Sequence, residues 1–373
     1  MTEQATEKDW AYCREMLPKV SRTFALNIGQ LEGDTFKAVL LGYLLFRIAD
    51  TFEDNLYQDE REKITDLRDF SEIFRGDKGL RHRMELYEPL KFRWKENSHE
   101  KELIENGWTI LRCYFDIPEI YRRIMDPLLV ETSEGMAEFQ RRKLQRNCAV
   151  FQLADAQELE DYCYYVAGVV GVMLTKIFCL HESTKEKRSE LEACQIQFGL
   201  ALQLINIVKD FQKDIARGWC YIPFTVTRSC NIDLDKMDAL SLDQRQGVLR
   251  EMIPRVVQYL DSTLKYIQAL PIGETSIRKF CIIPFVIGYR TLDKIVEMEG
   301  SKISREEIAS IMNEAAAFAK SNHVLEEDYL KTRGRFFPGT GVAGLINGTC
   351  RKNPCRAGRT PPVFPDPASG SDQ

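Results

Sequence analysis

The stretch LLGYLLFRIADTFEDN, residues 41–56, combines an apolar helical pattern with one polar edge. Four polar side chains recur at i, i+4, i+7 and i+11, a spacing that places them on one helix face. They are Tyr43, Arg47, Asp50 and Asp54. Because leucines flank this face on both sides and burial of unpaired charge is costly, the face must meet water, a metal or a ligand. A solvated helix face is the alternative, since 56 acidic residues in 373 give about eight acid pairs at a four-residue spacing by chance.

The composition is that of a chain with a large core. It has 373 residues, of which 44% are hydrophobic and 29% charged, enough for one big domain or two ordinary ones. The net charge of −5 argues against nucleic acid as a partner. Eleven cysteines without paired CxxC spacing, and no signal peptide, predict reduced thiols in a cytoplasmic protein. Four histidines without ligand spacing argue against histidine-based zinc chemistry.

Helical periodicity dominates the chain and strand alternation is scarce. Long helices are predicted over about 35–56, 59–75, 100–114, 117–143, 157–181, 189–215, 241–269, 274–296 and 304–332. Loop signals such as ALPIGE near 269 separate them. We therefore expect one all-α domain, roughly residues 1–335, whose helices surround a central cavity. No apolar run approaches the ~20 residues that span a membrane, so no transmembrane anchor is expected.

The end of the chain differs in composition. From about Gly339 it is rich in Gly, Pro, Ser and Arg, a composition that buries too little surface to offset its ordering entropy. The sequence therefore predicts a disordered tail over about residues 336–373. Its basic residues would suit peripheral contact with anionic lipid, and a solvated tail is the alternative. Those residues are Arg351, Lys352, Arg356 and Arg359.

A second acidic face lies in LQLINIVKDFQKD, residues 202–214. Asn206, Asp210 and Asp214 are spaced i, i+4 and i+8, and Gln203 comes one turn earlier. If the two acidic faces oppose each other, their carboxylates repel unless cations lie between them. Magnesium suits such a site because it prefers oxygen ligands and bridges carboxylates to phosphates. The ligand implied is a diphosphate, with Arg47 and Lys209 able to contact its oxygens.

The chain contains neither of the common phosphate-binding glycine loops, GxxxxGK[ST] or GxGxxG on a βαβ unit. An all-α cavity with a metal-held diphosphate instead favours ionisation of an allylic diphosphate. In that chemistry, apolar and aromatic walls shelter a carbocation from water. A helical binding protein that keeps the pocket without turnover is an alternative of another class.

Five segments, in order, resemble the squalene and phytoene synthase family of head-to-head prenyltransferases. They are VSRTFALNI (20–28), YLLFRIADTFED (43–54), YCYYVAGVVG (162–171), LQLINIVKDFQKD (202–214) and RGWCYIP (217–223). The resemblance implies the class I isoprenoid synthase fold, a helical bundle around one central cavity. One departure is Lys213, which stands where the family's second motif usually carries an acid.

Two later segments resemble the squalene synthases within that family. They are FCIIPFVIGYRTL (280–292) and GSKISR (300–305), for which core packing and a solvated charge run are the alternatives. The resemblance implies that two farnesyl diphosphates condense through presqualene diphosphate to squalene, with Mg²⁺ and NADPH as cofactors. The alternative activity is that of a dehydrosqualene or phytoene synthase, which needs no reductant. A monomer is expected.

The same resemblance assigns roles to individual residues. The implied metal ligands are Asp50, Glu53, Asp54, Asn206, Asp210 and Asp214. The implied catalytic residues are Tyr162, which would handle the proton lost in the first half-reaction, with Asp50, Asp54, Asp210, Asp214 and Arg47. The implied substrate contacts are Arg22, Phe24, Tyr43, Val166, Ala167, Gln203, Asn206, Lys209 and Arg217, with Val170 and Cys281 along the isoprenoid path. The implied NADPH contacts are Tyr43, Lys302 and Arg305.

Three of these residues have ordinary structural alternatives. Tyr162 could be a core aromatic, and Phe24 a packing residue. Arg217 could be a cation that satisfies a helix C-terminus.

Overall fold

The computed structural model describes residues 4–234, 240–297 and 300–336. The residues up to Phe336 form one compact unit. The predicted tail lies outside the described residues, except for Phe336 itself, and so do its basic residues. The described part of the chain is all-helical, as the periodicity predicted.

The described residues form eighteen α-helices. They are α1 (Glu7–Val20), α2 (Arg22–Ile28), α3 (Gly33–Glu53), α4 (Glu60–Phe74), α5 (Leu80–Tyr87), α6 (His99–Glu105), α7 (Gly107–Asp116), α8 (Glu119–Arg146), α9 (Ala156–Cys163), α10 (Val169–Phe178), α11 (Glu182–Lys185), α12 (Arg188–Glu192), α13 (Gln195–Ala216), α14 (Phe224–Ser229), α15 (Leu242–Ala269), α16 (Thr275–Val296), α17 (Arg305–Phe318) and α18 (Asn322–Arg333). Short 3-10 turns cover Glu88–Phe92 and Gly334–Phe336, and a π-helical segment, Tyr164–Gly168, joins α9 to α10. Two-residue strands β1 (Phe151–Gln152) and β2 (Trp219–Cys220) pair in parallel.

Side-chain caps explain where several helices begin. At Thr6, Asp59, Ser241 and Ser304, the side chain accepts a hydrogen bond from the backbone amide three residues later, and that later residue's side chain accepts from the cap amide. These reciprocal bonds satisfy backbone donors that a helix start otherwise leaves unpaired. The starts of α1, α4, α15 and α17 are therefore determined by the residues at each helix start and need no contact with distant parts of the chain.

Two glycines set the distance between the helices that form one wall of the central cavity. A Cβ atom on Gly199 of α13 would lie 2.2 Å from the carbonyl oxygen of Ala167. A Cβ on Gly171 of α10 would lie 2.0 Å from the carbonyl oxygen of Gln195. Because both contacts are with backbone atoms, α13 approaches the π-helical segment and α10 more closely than any larger residue permits.

One segment of the described chain, Arg188–Ala216, is long and apolar enough to cross a membrane by length and composition alone. In the apolar 18-residue stretch of this segment, 44% of the residues are buried inside the fold. The segment includes α13, whose polar face carries Asn206, Asp210 and Asp214. It is therefore a core helix of the bundle.

Candidate active site

An elongated cavity of about 440 Å³ lies at the centre of the bundle. Its lining comes from the end of α1 and from α2, α3, the π-helical segment, α10, α13, α15 and α16. Along α3 the lining runs from Val39 to Asp50, and along α13 from Gln195 to Asn206. Each path covers eleven helical steps, about 16 Å at about 1.5 Å per residue. Carbon–carbon bonds of about 1.5 Å project to roughly 1.25 Å along an extended chain, so the cavity matches a chain of about twelve carbons.

The polar face of α3 forms one side of the cavity mouth. Tyr43, Arg47 and Asp50 line the cavity, and Asp54 follows at the C-cap of the helix. Arg47 donates from Nη2 to Glu100 Oε1 at 3.1 Å, and its Nη1 lies 4.0 Å from Asp50 Oδ2. Burial and the charge of Asp54 raise the pKa of Asp50 to about 7, against the opposing effect of Arg47. Arg47 therefore reaches Asp50 at the outer limit of an ion pair, while its hydrogen bond goes to Glu100.

The polar face of α13 forms the opposite side. Gln203 and Asn206 line the cavity, and Asp210 and Asp214 follow one and two turns later. Burial, together with the charges of Asp210 and Asp54, raises the pKa of Asp214 to about 7. Because Asp54 belongs to α3, the two carboxylate stripes are within electrostatic reach of each other across the mouth.

These residues fit a hard divalent cation bound together with phosphate. Within residues 4–234, 240–297 and 300–336, no three His, Cys, Asp or Glu side chains converge closely enough to enclose a metal ion. Mg²⁺ does not require such a cage, since it usually takes one or two carboxylates and completes its shell with phosphate oxygens and water. The raised pKa values of Asp50 and Asp214 show carboxyls that a nearby cation would stabilise in the charged form. The donor set therefore fits an open Mg²⁺ site whose coordination shell a bound diphosphate would complete.

Glu53 turns away from the cavity into the protein. Its side chain is 8% exposed, and Oε1 has no hydrogen-bond partner among the described residues. Burial and the charges of Asp54 and Asp50 raise its pKa, against the opposing charge of the buried Lys63. The family resemblance grouped Glu53 with the metal ligands, whereas the structure buries its side chain outside the cavity lining.

Tyr162 lies beside Glu53 in the core. It is 4% exposed and stacks on Tyr221 with ring centroids 4.5 Å apart and an interplanar angle of 21°. The two hydroxyl groups share a hydrogen bond, and burial and the charge of Glu53 raise both tyrosine pKa values. Sequence reasoning missed Tyr221, although it lies in the RGWCYIP segment. Its neighbour Trp219 extends the stack at 5.5 Å, held in place by the β1–β2 pairing.

The π-helical segment shapes the apolar wall. Val166 and Ala167 lie within it, Val170 follows on α10, and all three line the cavity. Single-turn π segments are rare and recur at functional sites, because the wider turn changes the direction of side chains. On the facing wall, Phe24 packs against Tyr43 with ring centroids 5.2 Å apart. Cys281 also lines the cavity, together with Phe198, Tyr266 and Pro284, which sequence reasoning did not single out.

The remaining predicted residues lie outside this lining. Arg22 and Arg217 are exposed, and Arg217 is the C-cap of α13, where its charge opposes the rise in the pKa of Asp214. Lys302 and Arg305 are exposed. Lys209 lines a second cavity, of about 260 Å³, on another side of α13. Gly300 and Ser301, which precede Lys302 in the chain, also line this second cavity.

Comparison with known proteins supports both the fold and the motif order. The sequence profile of the Squalene/phytoene synthase family matches residues 17–305. Rat (Rattus norvegicus) squalene synthase is 29% identical over 282 residues, which are 75% of this chain and 62% of that protein. The chain therefore matches less than two thirds of that relative's length.

Two solved structures have the same fold. The complex of TcSQS with the ligand BPH1237 superposes with a TM-score of 0.74 at 22% identity, covering 90% of this chain and 93% of that one. A dehydrosqualene synthase in complex with ligand superposes with a TM-score of 0.58 at 20% identity, and the match covers 84% of this chain and 97% of that one. At these identities the likeness concerns the helical architecture.

Proposed function

Because the chain belongs to the squalene/phytoene synthase family, we propose that it condenses two prenyl diphosphates head to head. The observation that carries this proposal is the pair of carboxylate stripes on α3 and α13 at the mouth of one apolar cavity. Charge at the mouth and hydrocarbon walls below it match a substrate with a diphosphate head and an isoprenoid tail. The cavity length of about 16 Å favours the fifteen-carbon farnesyl chain, whose backbone is about twelve carbons long.

The two stripes would hold Mg²⁺ through a set of five side chains. They are Asp50, Asp54, Asn206, Asp210 and Asp214. When bound, Mg²⁺ neutralises the diphosphate and stabilises it as a leaving group. Arg47, which lines the cavity beside Asp50, would donate to the phosphate oxygens from the part of its guanidinium that Glu100 leaves available. The apolar walls exclude water from the allylic cation, and the rings of Phe24 and Tyr43 offer it electron-rich faces.

The first half-reaction releases one proton as the cyclopropane of presqualene diphosphate closes. Burial and the charge of Glu53 raise the pKa of Tyr162, so its hydroxyl stays neutral at pH 7. A neutral phenol acts as a hydrogen-bond donor and is a poor base. We propose that the departing diphosphate accepts the proton, and that the hydrogen-bonded Tyr162–Tyr221 pair supports the carboxylates from the core behind them.

For the second half-reaction we propose reduction by NADPH to squalene. The resemblance of residues 280–292 and 300–305 and the likeness to rat squalene synthase support it. Lys302 and Arg305, exposed on one side of the fold, are the proposed phosphate contacts of the reductant. Dehydrosqualene formation without a reductant is the second candidate, supported by the likeness to the dehydrosqualene synthase structure. We propose a cytoplasmic monomer with peripheral membrane contact, since the product is a hydrocarbon.

Product analysis tests the proposal. The protein is incubated with Mg²⁺ and C10, C15 or C20 diphosphates, with and without NADPH, and hydrocarbons are identified by mass spectrometry. Squalene from the C15 substrate only when NADPH is present supports the proposal. Dehydrosqualene under both conditions selects the second candidate. No hydrocarbon and no release of diphosphate from any substrate would refute prenyl condensation.

A further inference from the structure

The carboxylate stripe on α13 is already paired with two lysines of the same helix. Lys213 Nζ lies 2.5 Å from Asp210 Oδ1, and Lys209 Nζ lies 3.3 Å from Asp210 Oδ2. Lys209 also donates to Asn206 Oδ1 at 2.8 Å. Both carboxylate oxygens of Asp210 and the amide oxygen of Asn206 therefore face an ammonium group, although these are the oxygens that a hard cation would use.

The stripe on α3 differs in this respect. Arg47 donates to Glu100 at 3.1 Å and lies 4.0 Å from Asp50, and the buried Lys63 interacts with Asp54 and Glu53 through its charge alone. Residues 47–54 carry three acids and one arginine, whereas residues 206–214 carry two aspartates and two lysines. The formal charges of residues 47–54 therefore leave an excess of two acids, whereas those of residues 206–214 cancel.

Within the part of the chain that the structure describes, the ion pair of Lys213 is the one with Asp210. Its side chain is 74% exposed, so the ammonium moves easily in solvent. The second cavity, of about 260 Å³, borders it and is also lined by Lys209 and Arg245. No carboxylate belongs to the described lining of that cavity. The two described cations, Lys209 and Arg245, repel the ammonium of Lys213 and so oppose its movement from Asp210 toward that cavity.

We propose that Lys213 competes with the divalent cation for Asp210, so that the α13 stripe takes up metal chiefly together with a diphosphate. This inference rests on the proposed function. A cation that binds Asp210 alone displaces the ammonium and then lies beside it, which weakens binding by electrostatic repulsion. A diphosphate adds negative charge that attracts both the metal and the released lysine. Lys213 thereby couples metal binding to ligand binding, in both directions.

Titration calorimetry with Mg²⁺ alone, on metal-free full-length protein, tests the competition. An ammonium at about 5 Å from a divalent cation in a water-like dielectric weakens its binding roughly tenfold. Lys213→Gln should therefore bind Mg²⁺ about tenfold more tightly than wild type, and Lys213→Arg, which keeps the charge, should resemble wild type. The gain should shrink as the salt concentration rises, because the groups are exposed.

The matched control is Lys187→Gln. Lys187 makes the same i,i+3 contact, at 2.9 Å with Glu190, on the exposed side of α12. Its replacement should leave Mg²⁺ binding unchanged. Equal Mg²⁺ affinity in wild type and Lys213→Gln would overturn the inference, and so would a tightening in Lys213→Arg as large as that in Lys213→Gln.

Inorganic pyrophosphate supplies the second measurement. In wild type, Mg²⁺ should strongly increase pyrophosphate affinity, and in Lys213→Gln this increase should be several-fold smaller. An equal increase in both proteins would contradict the coupling. If wild type shows no Mg²⁺-dependent pyrophosphate binding, the proposed function itself fails. An unchanged Mg²⁺ affinity in Lys213→Gln, with pyrophosphate binding intact, contradicts the inference alone.

Discussion

Replacement of Gly199 by alanine would force apart the two backbones that form one cavity wall. The new Cβ would lie 2.2 Å from the carbonyl oxygen of Ala167 and 2.9 Å from the amide nitrogen of Gly168. Ordinary contacts of a Cβ atom begin near 3.4 Å. Since neither neighbour is a flexible side chain, α13 must move away from the π-helical segment by about 1 Å.

The size of the effect follows from two opposing contributions. Overpacking a rigid interior costs about 1–3 kcal/mol, and backbone on both sides of the contact puts Gly199→Ala near the upper end. Alanine favours the helix over glycine by about 1 kcal/mol. The expected net loss in unfolding free energy is about 2 kcal/mol. Because α13 carries one of the two carboxylate stripes, a shift of about 1 Å should also lower turnover about 100-fold.

Urea unfolding followed by circular dichroism measures the first effect, and diphosphate release measures the second. Gly334→Ala is the control, because its φ of −59° suits any residue and nothing lies within 4 Å of the added atom. The control should change stability by no more than about 0.5 kcal/mol. A Gly199→Ala protein as stable and active as wild type would refute the close approach and the role assigned to it.

The remaining predictions concern the mouth, the tyrosine stack and the cavity. Asp54→Asn should lower turnover at least about 100-fold while urea unfolding stays close to wild type; unchanged turnover would remove Asp54 from the metal site. Burial raises the pKa of Asp50 and Asp214 to about 7, above unfolded values near 4, so the metal-free protein loses stability as the pH rises from about 4 to 7. Mg²⁺ binds the ionised carboxylates, so its thermal stabilisation should be larger at pH 8 than at pH 6, and a pH-independent shift would contradict this. Tyr221→Phe removes one buried hydroxyl and should lower turnover about tenfold or more with a stability loss near 1 kcal/mol; a change in stability alone would assign the hydroxyl to packing. Ala167→Phe fills the wall of the cavity and should shift preference from C15 to C10 diphosphate, measured as the ratio of kcat/KM values, and an unchanged ratio would contradict the position of the chain.

The fold followed from the sequence because its long helices carry strong apolar periodicity. Each long predicted helix is present, although three of them divide: 100–114 at Asn106, 189–215 between Glu192 and Gln195, and 304–332 near Ser321, whose side chain caps the new helix. The predicted helix 157–181 contains the π-helical segment. Helix α1, of 14 residues, and the short helices α2, α5, α11 and α14 went unrecognised. Segments of four to eight residues hold too few turns for a periodic pattern to emerge.

The candidate site was predicted where helical spacing determines it. Tyr43, Arg47 and Asp50 share the cavity with Gln203 and Asn206, as two facing stripes require. Spacing could not reveal the side that Glu53 takes, because its direction depends on how α3 packs against its neighbours. Nor could spacing reveal the Tyr162–Tyr221 stack, which depends on contacts between residues far apart in the chain.

The most direct test of the two-stripe site is a crystal structure with Mn²⁺ and inorganic pyrophosphate, in which anomalous scattering locates the metal. Mn²⁺ prefers the same oxygen ligands as Mg²⁺. Peaks that bridge pyrophosphate to carboxylates of both α3 and α13, at the mouth of the central cavity, are the expected result. Pyrophosphate and Mn²⁺ bound away from that mouth, or by one helix without the other, would contradict it.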